Sequence, residues 1–256
     1  MRATKRDIPV GLQLWMLHAE CEKDFSATIQ AVAKMGYAGV EFAGYYQHKA
    51  QDIRKFLDDN GLVCCGSHTR LDLLSAENLA KTIEFNEVLG NKYLIVPSLD
   101  PKTHTTKEAW LETAGVFNEL ADKMKSEGMR IGYHNQWGDL ERIDGSRRLD
   151  ILLENTSKNV IMQLDTYHVM RGGGDPVTYL KKYPGRAVTI HLKEFSAKNP
   201  KALIGEGDVR WQDVFALCES TGNTQWYIIE EESGAYPPLE AAETSLKNYK
   251  KLRNQA

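Results

Sequence analysis

Two short apolar runs in the second half of the chain each end in residues that could hold a metal ion. The run IMQLD ends at Asp165, with His168 three residues later, and the run AVTIHLKE contains His191 and Lys193. Imidazole nitrogens and carboxylate oxygens together suit a divalent ion such as Mn, Co, Zn, Fe or Mg. A helix-sized segment, residues 175–183, separates the runs, so these residues are predicted at the carboxyl ends of consecutive parallel strands.

Polar residues stand at the ends of most of the predicted strands. They are Trp15 and His18; Glu41; Ser67 and His68; His134, Asn135 and Gln136; Asp165 and His168; His191, Lys193 and Glu194; and Glu230, Glu231 and Glu232. Alternate residues of a strand share a face, so His191 and Lys193 point the same way. One inward residue from each of the last four strands predicts a four-ligand metal site made of His134, Asp165, His191 and Glu230.

Each of these residues also has an ordinary structural explanation. A lone aspartate at a strand end, such as Asp165, often caps a helix. A histidine at a strand end is more often a hydrogen-bonded structural residue than a ligand, and the acidic run 230–232 could be a solvated edge. Four such residues at the same relative place on successive strands favour the metal site.

Hydrophobic periodicity predicts eight strand–helix units in succession. The predicted strands are residues 10–15, 40–42, 62–65, 93–97, 130–135, 160–165, 187–193 and 226–230. The predicted helices are residues 24–35, 50–60, 76–89, 106–126, 147–154, 175–183, 211–220 and 239–252. Eight units in 256 residues are typical of an α/β protein with a (β/α)8 TIM barrel, here a single domain spanning residues 1–256. The alternative, a doubly wound open sheet, is weakened because no GxGxxG follows the first strand.

Composition bounds the possible partners. The formal net charge is −3 and no Lys/Arg stripe is present, which argues against nucleic acid and anionic membranes as partners. No apolar run has the length of a membrane span. The basic start MRATKRDIP has no apolar stretch after it, so a cytoplasmic location is expected unless an export signal has been removed. The four cysteines lack metal-site spacing and are predicted to be reduced, mostly buried thiols.

Taken in order, the strand-end motifs resemble those of the xylose-isomerase-like TIM-barrel superfamily of sugar phosphate isomerases and epimerases. The matching motifs are GLQLW, GYAGVEFAGYY, GSHT, GYHN, LDTYH, IHLKE, IGEGDVRW and WYIIEEE. The resemblance covers nearly the whole chain and is typical of the superfamily rather than of one substrate. It implies one divalent metal ion in the barrel mouth, with Asp165, His191 and Glu230 at ligand positions.

The fifth strand departs from one branch of that superfamily. Ketose 3-epimerases carry a glutamate there, both as the fourth ligand and as one of two acid/base carboxylates, whereas this chain has His134. Gln136 stands where many members have the second histidine of an HNH motif. This pattern is more similar to the inosose dehydratase side of the superfamily.

The resemblance implies proton abstraction next to a carbonyl of a keto sugar or cyclitol, through an enediolate. Return of the proton would give isomerisation or epimerisation, and loss of a β-substituent would give dehydratase or lyase chemistry, with elimination from a keto-inositol or a 3-keto-glycoside. The expected catalytic residues are Glu230, His168 and Lys193. The expected substrate contacts are His68, Trp15, Glu41 and Gln136. Less favoured alternatives are an abasic-site endonuclease and a non-catalytic sugar-binding barrel, and a homo-oligomer is expected only by analogy.

Overall fold

The structure, a computed structural model, describes residues 6–254, and eight parallel strands in it close into a barrel. The barrel strands are β1 (Val10–Gln13), β2 (Gly39–Phe42), β3 (Val63–His68), β4 (Tyr93–Val96), β5 (Arg130–His134), β8 (Ile161–Asp165), β9 (Thr189–Leu192) and β10 (Trp226–Ile229). Two further strands, β6 (Arg142–Ile143) and β7 (Ser146–Arg147), form a small antiparallel hairpin. Around the barrel the strands follow one another in chain order, and β10 pairs with β1.

Helices connect successive strands and cover the outside of the barrel. They are α1 (His18–Lys23), α2 (Phe25–Met35), α3 (Ala50–Asp59), α4 (Leu79–Leu89), α5 (Lys107–Ser126), α6 (Arg148–Glu154), α7 (Thr166–Arg171), α8 (Pro176–Lys182), α9 (Trp211–Ser220) and α10 (Pro238–Asn254). Single 3-10 turns follow three of the strands, at Leu14–Leu17, Leu71–Leu74 and Trp137–Leu140. The predicted (β/α)8 barrel is therefore confirmed, whereas its extent over residues 1–256 stays a prediction.

Helix α2 illustrates how the sequence sets the outer layer. The side chain of Asp24 accepts a hydrogen bond from the Ala27 N–H at 2.9 Å and so caps the first turn. Ile29 and Val32 are buried against the barrel. Gly36 ends the helix in the left-handed region, at φ 94°, which a glycine adopts without strain.

Strand register places the polar strand ends side by side. Asp165 of β8 is opposite His191 of β9, and Gln13 of β1 is opposite Glu41 of β2. A register shift between Val40 and Glu41 interrupts the pairing of β2 with β3. The inward side chains at the carboxyl ends therefore converge on one mouth of the barrel.

The remaining predictions on composition can be compared with the structure directly. All four cysteines are buried and free, as predicted. Across residues 6–254, no helix combines the length and apolar character needed to cross a bilayer. The basic start of the chain falls largely on residues 1–5, which lie outside the described residues.

Candidate metal centre

Four side chains from four neighbouring strands meet at the mouth of the barrel: His134, Asp165, His191 and Glu230. All four are buried, and one ligand atom of each lies within 4.8 Å of those of the other three. His134 Nε2 lies 3.5 Å from Asp165 Oδ2. His191 Nδ1 lies 3.0 Å from Glu230 Oε2 and 3.8 Å from Asp165 Oδ2. Because an ion about 2.1 Å from each ligand holds neighbouring ligands about 3.0–3.4 Å apart, this spacing suits a metal centre.

Two of these ligand atoms are buried without any hydrogen-bond partner. His134 Nδ1 lies 3.2 Å from the Pro97 carbonyl oxygen, so we assign the proton to Nδ1 and the free lone pair to Nε2. Asp165 Oδ1 accepts the backbone N–H of His168 at 2.7 Å, which leaves Oδ2 free. Among the described residues, neither His134 Nε2 nor Asp165 Oδ2 has a partner. Buried polar atoms are rarely left unpaired, so both atoms fit the place of metal ligands.

A carboxylate beneath the cluster orients the third ligand. Glu41 Oε2 accepts a hydrogen bond from His191 Nε2 at 2.6 Å, which directs Nδ1 towards the cluster. Glu41 is itself held by Gln13 Nε2 at 2.7 Å and by Gln163 Nε2 at 2.6 Å. Burial lowers the pKa of His191, but Glu41 and Glu230 outweigh this effect and raise the pKa to about 10. The site is thus strongly anionic beneath and beside this histidine, as a cation site should be.

The two carboxylates of the cluster are held in the ionised form. Burial raises the pKa of Asp165, but His168 and His134 outweigh it and lower the pKa to about 2. Burial also raises the pKa of Glu230, and the charge of Lys193 outweighs it and holds the pKa well below its ordinary value. Both carboxylates can therefore act as anionic ligands at neutral pH.

Two cavities open onto the cluster. The larger, of about 500 Å³, is lined by His134, Glu230 and residues from the loops after β1 to β5. The smaller, of about 170 Å³, is lined by Lys193 together with residues after β8 to β10. His168, Glu230 and Glu232 line both, so the two cavities meet beside the cluster.

A family model described as the xylose isomerase-like TIM barrel matches residues 29–252. The chain belongs to this family. The family resemblance in the strand-end motifs is thereby confirmed.

Relatives and solved structures agree with this assignment. An inosose dehydratase of Clostridium botulinum (strain Alaska E43 / Type E3) is 25% identical over 249 residues, covering 82% of this chain and 83% of the dehydratase. A sugar phosphate isomerase/epimerase from Parabacteroides distasonis superposes with a TM-score of 0.81 at 24% identity, covering 95% of this chain and 98% of that one. The IOLI protein, solved with a binding zinc atom, superposes with a TM-score of 0.73 at 16% identity, covering 96% and 98%. At these identities the two structures establish a shared fold.

Most of the predicted site residues of this xylose isomerase-like barrel line the mouth. Trp15, His68, Gln136 and His168 line the larger cavity. Gln136 donates from Nε2 to the Pro97 carbonyl oxygen at 2.9 Å, beside His134. His168 Nδ1 is buried and unpartnered among residues 6–254, and burial outweighs the neighbouring Asp165 and lowers the pKa of His168 to about 4.

Lys193 lies where strand alternation places it, on the same side as His191. Its Nζ lies 3.6 Å from Glu230 Oε2 and forms an ion pair with Glu232. Burial lowers the pKa of Lys193, but Glu230 and other carboxylates outweigh it and raise the pKa above its ordinary value. The ammonium group therefore stays charged and can donate hydrogen bonds into the smaller cavity.

Glu41 does not lie where a substrate contact would. Its side chain has no exposed surface, and it lies below the cluster rather than along either cavity. The expected contact with substrate does not fit this position, because the carboxylate is already bonded to His191, Gln13 and Gln163. Its place suits the orientation of a metal ligand instead.

Asp165 combines the two roles that the sequence presents as alternatives. One carboxylate oxygen caps α7, and the other lies in the cluster. Helix α7 is absent from the predicted elements, and it sets the position of His168 above the cluster. A strand ending in an aspartate with a polar residue three positions later was the available signal for this short helix.

Three polar residues that support the cluster are missing from the predicted site. Gln13 binds Glu41 from the neighbouring strand β1, Gln163 binds it from β8 across the barrel, and Asn135 Oδ1 accepts the Asp165 N–H at 2.9 Å. The signal for both glutamines is a polar side chain within an otherwise apolar strand, as in VGLQ and IMQLD. Such a residue is buried and must find a partner there.

Proposed function

We propose that this chain is a divalent-metal-dependent enzyme that removes a proton next to the carbonyl of a keto sugar or keto-cyclitol. The observation that carries the proposal is the buried cluster of His134, Asp165, His191 and Glu230 at the end of a cavity of about 500 Å³. A divalent ion held there would polarise the substrate carbonyl and stabilise negative charge on its oxygen. The zinc atom of the IOLI protein supports a metal but does not choose among Mn, Co, Zn, Fe and Mg.

His168 is the residue best placed to take the proton. Its side chain lines both cavities, and burial lowers its pKa to about 4, so the imidazole is neutral at neutral pH and has a lone pair that can accept a proton. The imidazolium formed in this way can then protonate a hydroxyl on the adjacent carbon as the C–O bond breaks. The proton taken from carbon thus leaves in the water released, and the sugar or cyclitol gains a double bond. His168 acts first as base and then as acid.

Lys193 and Glu230 support that step. The Lys193 ammonium lies 3.6 Å from Glu230 Oε2 and can donate a hydrogen bond to a substrate oxygen that gains negative charge. Glu230 serves as a ligand, and we propose that its carboxylate also limits the directions from which substrate can approach. Glu230 as the proton-abstracting base is the alternative assignment.

Dehydration is the outcome that the observations favour over epimerisation. Epimerisation needs a second acid on the opposite face of the substrate, and the fifth strand supplies His134 to the cluster rather than a carboxylate. The curated relatives named inosose dehydratase point the same way. His68, which lines only the larger cavity, is the candidate second acid if the reaction is an epimerisation.

The proposal is tested by metal content followed by turnover. Elemental analysis of the purified protein, reconstituted with Mn, Co or Zn, is expected to give one equivalent of metal, lost in Asp165→Ala and His134→Ala. His104→Ala removes a histidine outside the cluster and is the matched control. The loaded protein should incorporate solvent deuterium into 2-keto-inositol or 3-keto-glucose in D2O and release water from it. No metal after reconstitution, or no exchange with any keto compound, would overturn the proposal.

A further inference from the structure

The outer end of the larger cavity is apolar, in contrast to its metal-binding end. Trp15 and Leu73 are 48% and 42% exposed, whereas His134 and Glu230 at the inner end are 3% and 5% exposed. All four side chains line the same cavity. Isolated exposed apolar residues are common on protein surfaces. Two that line one cavity ending at a metal cluster are better explained as a binding surface.

Trp15 is tied to the cluster through its backbone, and its ring is stacked on His18. Its backbone N–H donates to Gln13 Oε1 at 3.0 Å, and Gln13 Nε2 donates to Glu41, which orients the ligand His191. On one side the indole stacks on His18, with ring centroids 5.1 Å apart and the planes inclined by 19°. The ring therefore has free surface towards the cavity, and its stacking on His18 restricts its motion, which reduces the entropy lost on binding.

The charges along this cavity do not favour an anionic substituent. Arg70 is a cation that lines it, and its guanidinium is engaged by Asp72 through two hydrogen bonds of 3.0 and 2.9 Å. Glu230 and Glu232 line the same cavity and lie beside the Lys193 ammonium, so among the described lining residues no Lys or Arg side chain is left unpaired to bind a phosphate. A neutral group is thus the better occupant of the space beside Trp15.

We infer that the substrate carries, next to its keto ring, a second uncharged ring that lies against Trp15. The substrate class would then be a glycoside rather than a free or phosphorylated keto sugar. The inference rests on the proposed function for the position of the keto ring. The second ring could be an aryl group or a sugar, since both present an apolar face to an indole.

The test compares four 3-keto compounds with the metal-loaded full chain: 3-keto-glucose, its 6-phosphate, phenyl 3-keto-β-glucoside and 3-keto-cellobiose. Deuterium exchange gives kcat and KM, and calorimetry gives Kd. The phenyl or glucosyl compound should have a KM and Kd about tenfold lower than the other two, since a stacked ring contributes about 1.4 kcal/mol. Trp15→Ala should remove that advantage, mainly through KM, and Trp15→Phe should restore most of it.

Trp137→Ala is the matched control, because Trp137 is 44% exposed and lines a neighbouring cavity instead. It should leave the ratio between the four compounds as in the unmodified protein. A preference for the free or phosphorylated sugar, or an equal loss for all four compounds in Trp15→Ala, would overturn the inference. If no compound exchanges deuterium, the proposed function fails, and the Kd ratios alone then decide the inference. A Kd advantage of the phenyl compound identifies an aryl group, and an advantage of the cellobiose derivative identifies a sugar.

Discussion

Two buried glutamates near the mouth of the barrel, Glu41 and Glu194, have opposite electrostatic surroundings. Both are buried, with 0% and 8% exposure. Burial raises the pKa of Glu41, but His68 and His191 outweigh it and lower the pKa below its ordinary value. Burial also raises the pKa of Glu194, and there it outweighs the neutral N–H donors around the carboxylate, so the pKa stays raised.

The partners of Glu194 lie in the loop that follows it and in the first residue of α9. Its Oε1 accepts the N–H groups of Phe195 and Val209 at 3.0 and 3.2 Å. Its Oε2 accepts the Gly205 N–H at 2.7 Å and the Trp211 indole N–H at 2.8 Å. The motif IGEGDVRW is therefore wrapped around this carboxylate. The partners of Glu41, by contrast, are side chains from several strands, one of which is the candidate ligand His191.

The protonation state of a buried carboxylate depends on whether its hydrogen-bond donors can carry a charge. Imidazoles can carry a charge, so they favour the ionised form of Glu41 and couple it to a metal site. Backbone and indole N–H groups carry no net charge, so they hold the loop around Glu194 in place without linking it to the candidate metal site. We therefore expect changes at Glu194 to act on stability and changes at Glu41 to act on metal affinity.

The largest expected effect is that of Glu194→Ala. The change leaves four N–H donors unpaired, of which those of Val209 and Trp211 are buried, so the free energy of unfolding should fall by about 4 kcal/mol. Urea unfolding measures this value. Glu206→Ala is the control, because Glu206 is an exposed residue of the same loop. It accepts the Leu203 N–H and, at 3.2 Å, a hydrogen bond from Asn248 Nδ2, and the loss of these exposed contacts should cost about 1 kcal/mol or less. A loss of metal from Glu194→Ala while it remains folded would contradict the comparison.

A smaller effect is expected from Glu41→Gln, and it should appear in metal binding. The change keeps the shape but removes the charge that accepts the His191 N–H, so metal affinity should fall about 10–100-fold. Competition with a chelator gives the affinity. In the matched variant Glu194→Gln the affinity should stay within about threefold of the original, because no metal ligand contacts that carboxylate among the described residues. Equal losses in both variants would remove the distinction between the two glutamates.

Gly207→Ala tests the packing around Glu194 without altering its charge. A Cβ at this position would lie 2.6 Å from Glu194 Oε1 and would also meet the Phe195 carbonyl oxygen. The overlap should lower the free energy of unfolding by about 2 kcal/mol. Gly138→Ala is the control, since within residues 6–254 a Cβ there meets no atom within 4 Å. Equal thermal unfolding temperatures for the two variants would contradict this prediction and would mean that the loop shifts to accommodate the added Cβ.

The sequence predicts which residues of a strand share a face, but not how deep each lies in the barrel. Alternation places His191 and Lys193 on one face, and in the structure both lie beside Glu230. The depth of Glu41 depends on the register shift between Val40 and Glu41 and on Gly66, where any Cβ would meet Glu41 Oε1 at 2.5 Å. Depth is a property of strand pairing across the barrel, so the pattern within one strand cannot give it.

The predicted ligand set depends only on which residues lie at strand ends, and not on their depth. His134, Asp165 and His191 each end or nearly end a strand, and in a parallel barrel all such positions face one mouth. Of the supporting residues, Gln13 also ends a strand, β1, and Gln163 lies two residues before the end of β8, so a strand-end position alone does not reveal either role. Their roles follow only from the three-dimensional contact with Glu41.

The smallest expected effect is a pH dependence of stability that belongs to Glu194. Its pKa in the folded protein is raised above the ordinary value of 4.5. Between the ordinary pKa, which applies to the unfolded chain, and the raised pKa of the folded protein, the folded state binds more protons than the unfolded state. The free energy of unfolding should therefore fall as the pH rises through this range. Glu194→Gln cannot titrate at this position and lacks that contribution. The difference in free energy of unfolding between the original protein and Glu194→Gln, measured in urea from pH 4.5 to pH 7, should therefore shrink with rising pH. A difference that grows instead would mean that the four N–H donors outweigh burial, and Glu194 would then resemble Glu41 in its preference for the ionised form.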